Sequence, residues 1–213
     1  MMAMSPKPLP TEALIEGLMA GDQVVLERSW PSAAIEAMRA EAGRLAEAGV
    51  LTEAAVGRGR SARVVPAVRA DRRVWLEGLD RGTTPAFAAL VDDLEGMRAA
   101  LNRRLLLGVD EVEAQLACYP AGGGYARHLD RFADDEARVL SLVLYLNDRW
   151  CDADGGALRL HAADGSWRDV APAAGTLVAF LSDRVEHEVL PATRTRWSVA
   201  AWFRRRPRST GAR

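Results

Sequence analysis

The chain has only three histidines, and two of them stand where a metal ion could use them. His128-Leu129-Asp130 sets an imidazole and a carboxylate at i and i+2, and in an extended strand such side chains leave the same face. His187 follows 57 positions beyond Asp130, far enough for a third ligand to arrive on a different strand. Two neutral imidazoles and one carboxylate on one face of an octahedron suit Fe(II), and they leave the other face open for co-substrate and dioxygen. Three histidines or cysteines would suit zinc or copper better. His161 belongs to no such pattern and reads as an ordinary surface or core residue.

Arg196 comes nine residues after His187 and opens the run Arg-Trp-Ser-Val-Ala-Ala-Trp-Phe. Strand alternation puts Arg196, Ser198, Ala200 and Trp202 on one face, and Trp197, Val199, Ala201 and Phe203 on the other. A guanidinium among apolar neighbours is costly unless paired, and a carboxylate pairs with it bidentately. Arg196 is therefore a candidate anchor for the distal carboxylate of a co-substrate such as 2-oxoglutarate. Arg194 is the rival for that role; strand register and the spacing to His187 favour Arg196. Tyr145 shares a strand face with Ser141 and Val143. A buried phenol needs a partner, which either a bound carboxylate or the backbone would supply.

Around these residues the apolar pattern predicts helices first and strands later. Residues 11–19 read as a helix with Thr11 as N-cap and Gly21 as its stop, 23–26 as a short strand, and 31–47 as a helix preceded by Ser29. Between 54 and 73 the period breaks down into an arginine-rich loop containing a strand; 84–107 resumes a helical period. Strands are then expected at 113–119, 139–146, 157–161, 166–170, 176–181, 186–190 and 196–204. The near-continuous apolar run at 139–146 suits a strand buried on both faces, and the mobile turn at 120–124 is rich in glycine. Short strands at such intervals argue for a sandwich or barrel rather than a parallel α/β sheet.

With 213 residues, 49% hydrophobic and 27% charged, the chain reads as one ordinary globular domain. Residues 204–213 hold five arginines and no acid, leaving 23 basic against 29 acidic residues elsewhere. That tail reads as a disordered solubilising end rather than a nucleic-acid contact, since no aromatic side chains interleave with its charges. Cys118 and Cys151 make no disulfide framework and read as reduced thiols of a cytoplasmic protein. No apolar leader region or run long enough to span a membrane is expected.

Beyond the triad, the chain resembles the prolyl hydroxylases that modify hypoxia-inducible factor and their bacterial prolyl 4-hydroxylase relatives. The pieces that carry the resemblance run from about Val68 to Phe203: Arg69-x-Asp71-x-x-x-Trp75-Leu76-Glu77-Gly78, Ala117-Cys118-Tyr119-Pro120, Gly124-Tyr125-x-Arg127-His128-x-Asp130, Tyr145-Leu146-Asn147-x-x-Trp150, Gly155-Gly156-x-Leu158-Arg159, Ser182-Asp183-Arg184, His187-Glu188-Val189-x-Pro191-Ala192 and Thr195-Arg196. The resemblance implies an α+β, mainly β fold, with a double-stranded β-helix (jelly-roll) core at 108–203, helical support at 1–107 and the basic tail at 204–213. It implies His128, Asp130 and His187 as iron ligands and Arg196 as partner of the 2-oxoglutarate C5 carboxylate. Tyr145, Tyr119, Val143 and Trp202 then line the co-substrate pocket, and Asp71 and Arg138 form a structural salt bridge. The stretch 54–71 matches the mobile loop that folds over the substrate. Leu144 stands where the family has an aromatic residue and Ala200 where it has a hydroxyl, so the pocket's hydrogen bonding is expected to differ.

The activity so implied is Fe(II)- and 2-oxoglutarate-dependent hydroxylation of a prolyl residue in a protein or peptide, using O2, releasing succinate and CO2, with ascorbate as reductant. No catalytic side chain is needed beyond the iron ligands. A bacterial translation factor is the partner suggested by family analogy, and oxygen sensing the associated role. The alternatives are the same chemistry on a free amino acid or other small molecule, and a non-catalytic metal-binding module.

Overall fold

Among the described residues, the N-terminal part up to residue 105 builds three amphipathic helices and three short strands: α1 (Thr11–Ala20), β1 (Gln23–Leu26), α2 (Ser32–Glu47), β2 (Thr52–Glu53), β3 (Arg72–Trp75) and α3 (Pro85–Leu105). The structure, a computed structural model, describes residues 9–55, 63–131 and 137–206. Leu14 and Ile15 of α1, Ile35 and Met38 of α2, and Phe87, Leu90, Leu94, Met97 and Leu101 of α3 all point into one apolar layer, the stripe that helical periodicity requires. The helix starts differ from the expected caps. Thr11 is the first helical residue and Pro10 holds the cap position without a side-chain bond. Ser29 does not cap α2; its hydroxyl donates to the carbonyl of Gly175 across the fold. The start of α3 is held from elsewhere, as the buried carboxylate of Glu41 in α2 accepts from Ala86 N–H at 2.9 Å and Phe87 N–H at 3.1 Å.

Among the described residues eight strands follow: β4 (Glu111–Tyr119), β5 (Tyr125–His128), β6 (Arg138–Tyr145), β7 (Leu158–His161), β8 (Trp167–Val170), β9 (Leu177–Leu181), β10 (Glu186–Val189) and β11 (Arg196–Arg204). They divide between a major sheet ordered β1-β9-β6-β11-β4-β3-β2 and a minor sheet ordered β5-β10-β7-β8, alternating except that β7 and β8 form a hairpin within the minor sheet. Every paired strand is antiparallel. This is the jelly-roll arrangement. The segment before residue 108 is more than helical support, since β1 extends the major sheet at one edge and β3 and β2 at the other.

The run in β6 is apolar on both faces apart from Ser141, because its two faces meet two different cores. Leu140, Leu142 and Leu144 meet the helices, while Val143 and Tyr145 turn toward the minor sheet. β9 and β11 divide the same way: Leu177, Ala179, Val199, Ala201 and Phe203 go outward to the helices, and Val178 and Phe180 go inward. The helices thus stiffen the back of the major sheet and leave the space between the sheets for the site. At the far end of β11, Arg204 pairs with Glu111 and Glu113, and Arg206 N–H donates to Asp110. The start of the basic tail is therefore tied to β4; its residues 207–213 lie outside the described ones, as do 56–62 of the arginine-rich loop. Among the described residues no helix is long and apolar enough to cross a membrane.

Candidate active site

Antiparallel pairing of β10 with β5 sets His187 directly opposite His128, and directly opposed residues share a sheet face. Their ring centroids lie 4.2 Å apart. Asp130 sits two residues past the end of β5, its carboxylate Oδ1 at 3.5 Å from His128 Nε2 and 3.8 Å from His187 Nε2. One ligand atom from each residue lies within 4.8 Å of the others, a cluster that a single ion can span.

The surroundings fix which atoms face that centre. His128 Nδ1 lies 2.8 Å from the Ala126 carbonyl and His187 Nδ1 lies 3.2 Å from the Val185 carbonyl. With Nδ1–H donated to the backbone, each Nε2 keeps its lone pair for a metal. Tyr125 stacks on His128 with centroids 3.6 Å apart. Ser141 donates to Asp130 Oδ2 at 2.6 Å, and its Oγ lies 2.9 Å from that of buried Ser182. One carboxylate oxygen is thereby occupied and the other is left for a ligand. Burial pushes the His187 imidazole down to about 4, so it is neutral at pH 7. Burial opposes the charge of Asp130, but His187, the His128 hydrogen bond and Arg138 outweigh it and hold the carboxyl well below the usual range. Both groups are therefore deprotonated at neutral pH, as metal ligation requires. The donor set fits Fe(II).

A cleft of about 670 Å³, measured with its open mouth, runs from these residues between the sheets. Arg196, Ser198, Ala200 and Trp202 line it from β11, Gln115, Ala117 and Tyr119 from β4, and Val143 from β6. Arg196 is only 1% exposed. Its Nε donates to the Gly156 carbonyl at 2.9 Å, and its Nη1 lies 3.5 Å from Ser198 Oγ. No carboxylate pairs with it among the described residues, so a buried cation faces the cleft with donors to spare. Its guanidinium lies 5.2 Å from the Tyr119 ring and 5.0 Å from the Tyr145 ring. Burial pushes both phenols up, so both remain O–H donors at neutral pH. The Tyr145 hydroxyl is buried without a hydrogen-bond partner, and an orphan donor beside an unpaired guanidinium suits a carboxylate. Gly156 permits this approach: it has φ +70°, and a Cβ there would meet Ala192 Cβ at 2.8 Å and Arg196 Cδ at 3.4 Å.

Of the residues singled out in the sequence, Arg194 is excluded from the cleft. It lies at the surface, donating to the Asp148 carbonyl and stacking over Trp150. His161 faces Glu188 at 3.1 Å, away from the triad. The expected salt bridge between Asp71 and Arg138 is replaced by two others. Asp71 is gripped by Arg69 at 2.6 and 2.9 Å, since residues i and i+2 share a face, and Arg138 meets Glu113 at 2.8 and 2.7 Å across β11. Leu144 does not touch the pocket, since the pleat turns it to the helix side; Ala200 does line it. The arginine-rich loop is pinned at its end, where Ala126 N–H bonds Val68 O and Ala70 N–H bonds Gly124 O. Gln115 and Leu129 carry no mark of a site residue in the sequence, and Ser182 is marked only by the Ser182-Asp183-Arg184 piece. Gln115 shares strand parity with Ala117 and Tyr119 of β4, whereas Leu129 is marked only by its place between the two ligands.

The 2OG-Fe(II) oxygenase superfamily model matches residues 114–204. A Pseudomonas putida prolyl-4-hydroxylase crystal structure superposes with a TM-score of 0.83 at 40% identity, covering 92% of this chain and 100% of that one. The chain belongs to the 2OG-Fe(II) oxygenase superfamily. Within this superfamily it is also similar to a Trichoplax adhaerens prolyl hydroxylase in complex with a hypoxia inducible factor oxygen degradation domain peptide fragment, with a TM-score of 0.81 at 25% identity and coverage of 91% and 88% of the two chains. Egl nine homolog 1 of Homo sapiens is 33% identical over 143 residues, which is 64% of this chain and 33% of the relative. The chain spans 33–41% of the length of the Egl nine homologues from rat, human and mouse. The superfamily match covers β4 to β11, the strands that carry His128, Asp130, His187 and Arg196.

Proposed function

We propose that the protein is an Fe(II)- and 2-oxoglutarate-dependent dioxygenase that hydroxylates a prolyl residue of a protein or peptide, with succinate and CO2 as co-products. One observation carries this reading: the His128–Asp130–His187 cluster and the unpaired, buried Arg196 line the same cleft. Fe(II) with 2-oxoglutarate supplies the activation of dioxygen and the oxidative decarboxylation, chemistry that protein side chains lack. His128, Asp130 and His187 would hold the metal on one side, and Arg196 with Tyr145 would hold the C5 carboxylate. Ser141 keeps the Asp130 carboxylate in one orientation. Val143, Leu158 and Val189 supply apolar walls beside the ligands, which excludes water and confines the reaction to a positioned C–H bond.

The choice of a prolyl substrate rests on the similarity to prolyl hydroxylases and on the open mouth of the cleft, where exposed Leu129 and Trp75 offer apolar contact to an extended chain. The test is succinate formation from 2-oxoglutarate by the Fe(II)-loaded protein, with and without proline-containing peptides and with mass spectrometry of the peptides. Peptide-dependent succinate together with a hydroxylated proline supports the proposal. Succinate stimulated instead by a free amino acid replaces the substrate. No succinate from folded, iron-loaded protein leaves a binding module.

A further inference from the structure

Among the described residues, the cation without an ion-pair partner at the cleft's edge is Arg73. The register of β3 on β4 sets Arg73 beside Ala117 and Trp75 beside Gln115, and both β4 residues line the cleft. Side chains paired across strands share a face, so Arg73 and Trp75 rise on the cleft side of the major sheet. Neighbouring acids are already engaged: Asp71 by Arg69, and Glu113 by both Arg138 and Arg204. The Arg73 guanidinium lies 4.9 Å over the Trp75 ring, which stands 6.1 Å from the Trp202 ring, and Arg138 caps Trp202 at 3.8 Å. The cleft edge is thus a tryptophan pair between two arginines, one of which has spare donors. Burial, Arg69 and Arg138 all press on the Arg73 charge and lower its proton affinity, a local surplus of positive charge that an incoming anion would relieve. This position is half-exposed, unlike the buried Arg196. It suits a side chain of a bound peptide rather than the co-substrate.

We propose that Arg73, seated on Trp75, is a subsite for a carboxylate side chain of the substrate, an aspartate or glutamate flanking the target proline. This rests on the prolyl-peptide reading and adds to it a requirement on substrate charge. The guanidinium offers a bidentate fork, while Trp75 and Trp202 supply a platform for the methylenes of the acidic residue.

The experiment uses the full chain loaded with Mn(II) and 2-oxoglutarate under anaerobic conditions, so that binding is read without turnover. Fluorescein-labelled proline-centred peptides, carrying Glu, Gln or Lys at each of three positions on either side, are titrated by anisotropy. At one position the Glu peptide should bind about tenfold more tightly than its Gln twin, the size of one charge-assisted hydrogen bond. Arg73→Gln should bring that ratio to about one, and Arg73→Glu should favour Lys at the same position. Equal binding of Glu and Gln peptides by the native protein overturns the subsite while leaving the prolyl reading intact. A preference that survives Arg73→Gln overturns it as well. Failure of every proline peptide to bind, with 2-oxoglutarate still bound, overturns the prolyl reading and the subsite together.

Discussion

Replacing Arg196 with methionine separates ligand recognition from stability. The native guanidinium is 1% exposed and spends one donor on the Gly156 carbonyl at 2.9 Å. Two of its other N–H groups can meet both oxygens of a carboxylate, and each charge-assisted bond contributes about 1.5–3 kcal/mol. Losing both should weaken 2-oxoglutarate binding by roughly 10² to 10⁴-fold. Methionine has a similar length and no charge. It strands one carbonyl, at about 1 kcal/mol, but removes a buried cation that lacks a carboxylate partner, which offsets that loss. The ligand-free variant should therefore melt close to the native protein. Thermal melting of Mn(II)-loaded protein without oxygen, titrated with 2-oxoglutarate, reads both quantities, because stabilisation grows as RT ln(1 + [L]/Kd). The native protein should rise along that curve; Arg196→Met should stay flat to ligand concentrations at least about 100-fold higher, and Arg196→Lys should fall between them. Arg194→Met is the control, with its side chain on Asp148 and Trp150. A normal titration by Arg196→Met, or a lost response in Arg194→Met, would refute the assignment of the anchor.

Three further outcomes follow from the geometry. Ser141→Ala removes the 2.6 Å bond to Asp130 and should weaken Mn(II) binding by about 10–100-fold in calorimetry, with Ser141→Thr restoring most of it. Buried His187 has its pKa lowered from 6.5 to about 4, so between those values the unfolded chain binds the extra proton and folding stability falls as pH falls. The metal-free protein should lose melting temperature across that window, with a smaller loss in His187→Gln; the depressed Asp130 adds its own loss as the pH falls into the ordinary carboxylate range and below it. Glu41→Ala leaves the Ala86 and Phe87 N–H groups unpaired and should cost about 2–4 kcal/mol in chemical denaturation, with a smaller loss for Glu41→Gln, which keeps an acceptor.

The ligand pattern is legible in the sequence because its geometry is local. Two side chains at i and i+2 on an extended segment share a face whatever the fold, so His128 and Asp130 announce themselves. The parity of β11 is equally local, and alternation alone sorts Arg196, Ser198, Ala200 and Trp202 to one side. The helices are legible from apolar spacing, although their starts are not: the carboxylate that holds α3 lies 45 residues before Ala86. Pairing across the fold needs the tertiary structure. The β5–β10 register sets His187 against His128, and the choice of Arg69 rather than Arg138 for Asp71 follows from which side chains the strands bring within reach. Pleat direction likewise sends Leu144 to the helices rather than the pocket. A strand's own sequence sets which residues share a face; the partner strand and its register set what that face meets.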